Sequence, residues 1–333
     1  MKKNVALALS SGGPRGFAYI GAIEELLERG YHITSVAGTS IGSLIGGIYA
    51  AGKLAEFKEW LYSLDTWQVF TLMDLSIGKN HLVKGEKIIQ AIMEIVPDVD
   101  IEALQIPYRA VATDLYTGEE VVFDRGKLFT AIRSSISIPS LFRPVKHGIT
   151  TLIDGGIANC LPLNRVVRTG DDILVAFDVN DVDVKEIRGI LTRENNALLT
   201  DENYLQTKRA EIHELMDHIS AESGVSLVKR LKYVGSRGIT LLKDIVTYQR
   251  LYDEDEALEY GDNFYDLLDR TFSLMNHRNT ELSIQLYKPD VLAKMPFDAY
   301  GEIADYAKAQ EIAENGRILM REALDQYEQS QAH

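Results

Sequence analysis

Ser40 lies between two glycines in the segment Gly38-Thr39-Ser40-Ile41-Gly42, and this spacing suits a serine nucleophile. Small residues on both sides permit the sharp turn from a strand into a helix that exposes the hydroxyl. Unpaired N–H groups at the start of that helix stabilise negative charge. A chain with 25 glycines also produces this pattern by chance, so the motif alone is weak evidence for a hydrolase.

A glycine-rich segment, Ser11-Gly12-Gly13-Pro14-Arg15-Gly16, follows the first apolar run. Its backbone amides are suited to hold an oxyanion, because preorganised donors stabilise charge where it develops. A phosphate-binding loop and a plain turn are the other interpretations. Nucleotide binding is the weaker one, since the Walker lysine and the three-glycine dinucleotide spacing are both absent. Arg15 alone fits a packing or surface arginine equally well.

An aspartate, Asp154, follows the apolar run Thr151–Ile153 and precedes two glycines. A carboxylate at the end of a strand can approach another loop closely and act as a general base. An exposed aspartate, with a pKa of about 3.9, is a feeble base toward a serine hydroxyl, so this role requires burial. A simple Asp-Gly turn is the alternative interpretation.

A Ser-His-Asp triad is the competing arrangement for a serine hydrolase. The chain order of the α/β-hydrolases requires a histidine after the acid, and four histidines satisfy it: His213, His218, His277 and His333. None of them lies in a matching motif, and candidate metal ligands do not cluster. The triad is therefore the weaker interpretation.

Strand and helix patterns alternate around these segments and predict a mostly parallel sheet flanked by helices, which is an α/β fold. The predicted strands are Val5–Ser10, Ile33–Ala37, Tyr108–Thr113, Glu119–Phe123, Thr150–Ile153, Ile173–Val179 and Ser283–Tyr287. The predicted helices include Phe17–Glu28, a buried helix from Ser40 through Ala51, and a long segment within Tyr300–Tyr327.

Composition limits the classes of partner. A chain of 333 residues with 46% hydrophobic residues can bury one large core or two smaller ones. The formal charge of −14 opposes nonspecific binding to nucleic acid or to an anionic bilayer, so any membrane contact must be local and apolar. Cys160 is the single cysteine, which excludes an intrachain disulfide and favours a reducing compartment.

The lengths of two apolar runs indicate where in the cell the protein is expected. Val5–Leu9 is shorter than the core of a signal peptide, and the longest Gly-rich apolar stretch, Ile41–Ala51, is shorter than a membrane span. We expect a soluble, cytoplasmic protein, with peripheral membrane contact left open. The amphipathic segment Ile239–Leu251 is one candidate for such contact, although packing on the core is the favoured interpretation.

The order SGGPRG, GTSIG and DGG resembles the patatin-like phospholipase family. The likeness continues in residues 112–118, 132–139 and 288–291 and around Asn315-Gly316, so it covers roughly 4–180 and 280–325. The resemblance implies a patatin-like three-layer catalytic domain over residues 1–184 and 280–330. Residues 185–279 are then a helical elaboration that forms a lid or an acyl-chain groove.

By the same resemblance, Ser40 is the nucleophile and Asp154 its catalytic partner in a dyad. Gly12 and Gly13 supply oxyanion-hole amides, and Arg15 holds that loop or stabilises charge. The implied substrates are esters of phospholipids, lysophospholipids or acylglycerols, with no cofactor, no metal and no nucleic-acid partner.

This chain departs from the family pattern at two positions of the glycine loop. Ser11 replaces the first of three glycines, and Pro14 lacks an N–H and cannot be a donor. These changes keep two other functions open: a lipid-binding or regulatory protein with little turnover, and a soluble short-chain esterase or thioesterase. The oligomeric state cannot be predicted.

Overall fold

The computed structural model describes residues 3–72, 86–138, 142–182, 264–300 and 303–332. The chain divides into two compact units, one formed by residues 1–182 and 269–333 and the other by residues 183–268. The elaboration predicted over 185–279 lies largely outside the described residues, as does the segment Ile239–Leu251. The predicted domain boundaries and the role of that elaboration therefore stay predictions.

Within the described residues, one sheet of eight strands carries the site. The strands are β1 (Asn4–Leu9), β2 (His32–Thr39), β3 (Tyr108–Asp114), β4 (Glu120–Phe123), β5 (Val145–His147), β6 (Thr150–Asp154), β7 (Asp172–Asp181) and β8 (Val291–Pro296). Their order is β5-β6-β3-β2-β1-β7-β8, with β4 also paired to β3. The path β3-β2-β1-β7-β8 is parallel throughout, and β4, β5 and β6 join it in antiparallel pairs.

The helices that accompany this sheet are α1 (Ala18–Glu28), α2 (Ile41–Ala50), α3 (Leu54–Ser63), α4 (Thr66–Leu72), α5 (Glu86–Met93), α6 (Leu128–Ser135), α7 (Gly156–Asn159), α8 (Phe264–Tyr287) and α9 (Ala309–Gln331). The predicted fold class, a mostly parallel sheet flanked by helices, is confirmed. Among the described helices, none is both long enough and apolar enough to span a bilayer.

Strand β1 lies inside the sheet and is buried on both faces, as parallel strands commonly are. Val5, Leu7 and Leu9 face one hydrophobic core, which includes side chains of α1, α2 and α9. Ala6 and Ala8 face a second core, against which α8 packs. Because β1 cannot shift without disturbing both cores, the loop that follows it has a fixed starting point.

Helices α1 and α9 touch through their backbones. A Cβ on Gly21 would lie 1.9 Å from the Ala313 carbonyl oxygen, and a Cβ on Gly316 would lie 2.0 Å from the Ala18 carbonyl oxygen. Glu25 on α1 also binds the guanidinium groups of Arg29 and Arg321. Only glycine permits this approach, which holds α9 directly against α1.

One predicted strand is wrong. Ser283–Tyr287 is the last part of α8, and the final strand is β8. A short run that mixes apolar and polar residues is compatible with either element, and periodicity alone does not separate them. Packing decides in favour of the helix: the Ser283 hydroxyl donates to the Leu161 carbonyl at 2.9 Å, and Ile284 packs against the second core.

Candidate active site

Ser40 lies at the junction of β2 and α2 with φ 55° and ψ −124°, a backbone conformation that non-glycine residues rarely adopt. Its two glycines are required by close approach. A Cβ on Gly38 would lie 2.2 Å from the Gly42 carbonyl oxygen, and a Cβ on Gly42 would lie 2.4 Å from the Leu9 carbonyl oxygen. The predicted sharp turn is therefore present, and its strain is held by tight packing.

The backbone of Ser40 is fully engaged. Its carbonyl accepts bonds from the N–H groups of Ser43 and Leu44 at 2.9 and 3.1 Å, and from the Ser43 hydroxyl at 2.6 Å. Its N–H donates to the hydroxyl oxygen of Ser135 at 2.8 Å. These bonds fix the peptide on both sides of the residue, so the direction of the Cα–Cβ bond is set before any substrate arrives.

Asp154 ends β6 and lies across β3 from Ser40. Ala112 of β3 pairs with Asp154, and the preceding residue Val111 pairs with Thr39, so both site residues flank β3 at one level. The Asp154 backbone is anchored by its N–H, which donates to Ser137 at 2.9 Å, and by its carbonyl, which accepts from Thr113 at 2.8 Å. The sheet register thus brings together two residues that are far apart in sequence.

The carboxylate of Asp154 is buried, and its two oxygens differ. Oδ1 accepts the Gly156 N–H at 2.8 Å, whereas Oδ2 makes no well-formed hydrogen bond among the described residues. Burial raises the pKa of Asp154 to about 6, against the smaller opposing effects of the Ser40 hydroxyl and the Gly156 N–H. A base with this pKa is mostly ionised at neutral pH and is stronger than an exposed aspartate.

The segment that leaves α6 connects the two site residues. The Ser135 hydroxyl donates to the Val111 carbonyl at 2.5 Å while accepting the Ser40 N–H, and the Ser135 carbonyl accepts the Gly155 N–H at 3.4 Å. Two residues later, the Ser137 carbonyl accepts the N–H of Asp154. The sequence pattern marked residues 132–139 as part of the resemblance but gave Ser135 and Ser137 no role.

The glycine loop lies beside this pair, because β1 and β2 are neighbours with Leu9 opposite Gly38. Gly12 and Gly13 have φ values of 155° and 56°, and a Cβ on Gly12 would lie 2.3 Å from Cγ2 of Val179. Among the described residues, neither the Gly12 nor the Gly13 N–H is bonded to an acceptor. Both amides are therefore available to an anion at this edge of the sheet.

Ser11, the first departure in the loop, is held by its neighbours. Its N–H donates to the Cys160 carbonyl at 3.0 Å, and its carbonyl accepts the Asn180 side-chain amide at 2.7 Å. In a trans peptide the carbonyl and the next N–H point in opposite directions. The bond from Asn180 therefore also fixes the direction of the Gly12 N–H.

Arg15 is buried, and its guanidinium binds backbone carbonyls. Its Nη1 donates to the backbone carbonyls of Phe297 and Tyr300, the latter at 3.0 Å. These bonds attach the 3-10 turn over Gly13–Phe17, in which Arg15 lies, to the segment that follows β8. Of the two roles that the resemblance implies for Arg15, this position favours holding the loop.

The histidines contribute little to the described site. His277 Nδ1 lies 2.9 Å from the Asn180 carbonyl oxygen, and no hydrogen bond joins any described histidine to Ser40 or Asp154. His213, His218 and His333 lie outside the described residues. In the part of the chain that is described, no group of three or more His, Cys, Asp or Glu side chains could hold a metal ion.

Part of the chain is similar to known proteins. Residues 7–167 match the patatin-like phospholipase family. An uncharacterized NTE family protein of Mycobacterium bovis is 47% identical over 176 residues, which are 53% of this chain and 49% of the relative. The chain therefore spans about half the length of that relative. A lysophospholipase of Kluyveromyces lactis is 32% identical over 187 residues, 54% of this chain and 13% of its own.

Among solved structures, VipD from Legionella pneumophila is similar to this chain with a TM-score of 0.36 and 17% identity. The match covers 65% of this chain and 55% of VipD.

Proposed function

Residues 7–167 belong to the patatin-like phospholipase family, which indicates lipid hydrolase activity, and on this premise we propose that Ser40 and Asp154 form a catalytic dyad. The protein then cleaves carboxylic esters of lipids through an acyl-enzyme. The observation that carries the proposal is the pairing of Asp154 with Ser40. Burial raises the pKa of the Asp154 carboxylate to about 6, and an interaction with the Ser40 hydroxyl lowers it by a smaller amount. That interaction pairs a carboxylate more basic than an exposed aspartate with a serine in a strained turn.

In the first half-reaction, Oδ2 of Asp154 takes the hydroxyl proton as Ser40 Oγ bonds to the ester carbonyl carbon. The carbonyl oxygen becomes an oxyanion, which accepts hydrogen bonds from the Gly12 and Gly13 N–H groups. The N-terminus of α2 adds a favourable dipole, because Ser40 is its N-cap. When the C–O bond to the leaving alcohol breaks, the alcohol oxygen receives the proton from Asp154.

In the second half-reaction, Asp154 takes a proton from water as the water oxygen attacks the acyl carbon. The same amides hold the second oxyanion. Collapse of this intermediate releases the carboxylic acid, and the proton returns from Asp154 to Ser40 Oγ. No further acid or base is needed, because one carboxylate accepts and returns each proton.

The proposed substrates are phospholipids, lysophospholipids or acylglycerols. The family of the domain and the lysophospholipase among its relatives support this class. A short-chain esterase or thioesterase would instead lose activity as the acyl chain lengthens. Hydrolysis rates for p-nitrophenyl esters of increasing chain length, together with a lysophospholipid, separate the two functions.

The dyad is tested with Ser40→Ala and Asp154→Asn, using the surface variant Ser63→Ala as control. We expect both dyad variants to lose about 10⁴-fold or more in kcat, because each removes a whole step of proton transfer or bond formation. A fluorophosphonate should label Ser40 in the wild type. Full turnover by folded dyad variants would refute the assignment, and lipid binding without turnover or labelling would favour a regulatory protein.

A further inference from the structure

Two neighbouring hairpin turns carry apolar side chains in solvent. In the turn between β3 and β4, Leu115 is 48% exposed and Tyr116 is 74% exposed, and in the turn between β5 and β6, Ile149 is completely exposed. The two turns are adjacent, because the Leu115 N–H donates to the Thr151 carbonyl at 2.8 Å. The three side chains therefore lie at one end of the sheet.

This end of the sheet is the one that carries the catalytic residues. Ala112 of β3 lies level with Asp154, and β3 continues from there toward Leu115. At about 3.3 Å per residue, Leu115 lies about 10 Å beyond the level of the dyad. The exposed apolar side chains thus form a rim beyond the site, which we call the apolar rim: Leu115, Tyr116 and Ile149.

Neither turn needs an apolar residue for its geometry. Gly118 and Gly148 supply the positive φ values of 72° and 59°, and Asp114 Oδ1 accepts the Tyr116 N–H at 2.8 Å. Polar residues suit such turns better, because a side chain in solvent contributes nothing to the core. Grouped exposed apolar side chains indicate a contact surface.

Two cations lie on the β5 side of the rim. Arg143 and Lys146 are exposed on the segment that leads to Ile149, and neither forms an ion pair among the residues that the structure describes. Asp114 and Glu119 are the acids of the neighbouring turn. A tyrosine and aliphatic side chains flanked by cations suit the interface of a bilayer, where aromatic rings lie at headgroup level and cations meet anionic lipid.

We propose that the apolar rim, with Arg143 and Lys146, docks on the surface of a phospholipid bilayer. Ile149 and Tyr116 enter the interface, and the dyad end of the sheet then faces the lipid. This inference rests on the proposed function for its purpose, since a lipid hydrolase must reach substrate that is held in a membrane. The contact is local and apolar, which a net charge of −14 still permits.

Binding is measured by flotation of the full chain with protein-free vesicles of phosphatidylcholine, with and without phosphatidylglycerol. We expect Tyr116→Ser/Ile149→Ser to bind both vesicles about tenfold more weakly than the wild type. Arg143→Gln and Lys146→Gln should each lose about fivefold, on anionic vesicles alone. Leu27→Ser is the matched control, because Leu27 is 43% exposed near the end of α1, beside the opposite end of the sheet.

Hydrolysis of soluble p-nitrophenyl butyrate reports on the fold and the dyad independently. The rim double variant should keep this activity while losing hydrolysis of vesicle lipid. Equal vesicle binding by that variant and the wild type overturns the inference, and so does a wild type that binds neither vesicle. A wild type that binds vesicles through the rim but hydrolyses no ester instead contradicts the proposed function alone.

Discussion

The hydroxyl oxygen of Ser135 accepts a 2.8 Å hydrogen bond from the backbone N–H of Ser40, although the two residues are 95 positions apart. The same hydroxyl donates to the Val111 carbonyl of β3. It therefore joins the strained turn to the strand that separates Ser40 from Asp154. Through this bond, the end of α6 holds the proposed nucleophile at its angle to the base.

Ser135→Ala should lower kcat by about 10- to 100-fold, since it frees the Ser40 peptide to shift relative to Asp154. It should also lower the free energy of unfolding by about 1–3 kcal/mol, because the buried Ser40 N–H loses its acceptor. Ser134→Ala is the control: Ser134 is equally buried on α6, but its hydroxyl donates to the Thr130 carbonyl. An unchanged kcat in the folded Ser135 variant would contradict a positioning role.

The pH dependence of ester hydrolysis should report the ionisation of Asp154. In the proposed mechanism only the ionised carboxylate can take the Ser40 proton, so kcat/KM for a p-nitrophenyl ester should rise about tenfold per unit of pH below 6 and level off above it. Burial also raises the pKa of Asp178 to about 6, which makes Asp178→Asn a matched control. That variant should keep the inflection. If Asp178→Asn abolishes the inflection, the titration belongs to Asp178 and the prediction for Asp154 is wrong.

Asp154→Asn should make the folded protein more stable at neutral pH. Because burial raises the pKa of Asp154 to about 6, the folded state favours its proton, and the stability that this provides is lost as pH rises from about 4 through 6. A neutral isostere avoids that loss, worth about 2–3 kcal/mol in the free energy of unfolding at pH 7. Below pH 4 the gain should vanish.

Urea unfolding across pH 4–8 measures this difference. Asp171→Asn is the contrasting variant, because a hydrogen bond from Thr169 lowers the pKa of that surface carboxylate. It should show no gain at neutral pH. If the stability difference between wild type and Asp154→Asn does not vary with pH, burial does not destabilise the ionised form of Asp154.

Gly13→Ala should lower kcat by about 100-fold, since an L-residue at φ 56° favours a rotated peptide, which moves the proposed oxyanion donor. The added Cβ has room, its nearest neighbour being Tyr306 Oη at 3.5 Å, so the effect is one of backbone conformation. Gly30→Ala carries the matched strain at φ 75°, with no atom within 4 Å, far from the site. It should lose stability and keep kcat; comparable kinetic losses in both variants would exclude a local role for Gly13.

The junction of β2 and α2 could be predicted because local signals agree there. An apolar run, a serine between glycines and a buried small-residue helix all indicate one turn, and the observed bounds differ from the predicted ones by a few residues. The position of the glycine loop follows from strand ends, because the parallel strands β1 and β2 carry their carboxyl ends to one edge of the sheet and the loops after them meet there. The position of Asp154 does not follow in this way, because β6 is antiparallel to β3 and only the pairing register brings Asp154 level with Ser40.

The role of Ser135 could not be predicted, because it depends on the register between β3 and its neighbours rather than on local pattern. Its partners, Ser40 and Val111, are distant in sequence, and a one-residue slip of a strand would separate them. The strand β5 is only three residues long, too short for alternation to indicate it. The error at Ser283–Tyr287 has a similar origin, since tertiary contacts and not the local pattern stabilise the helix there.

The close approach of α1 and α9 at Gly21 and Gly316 has a consequence for biosynthesis. The face of α1 that meets α9 is made early, whereas its neighbour is synthesised almost 300 residues later. A nascent chain on the ribosome therefore exposes that face until α9 has emerged. During this interval the face is accessible to a chaperone that binds apolar helices. The contact between α1 and α9 therefore forms only after α9 has been translated.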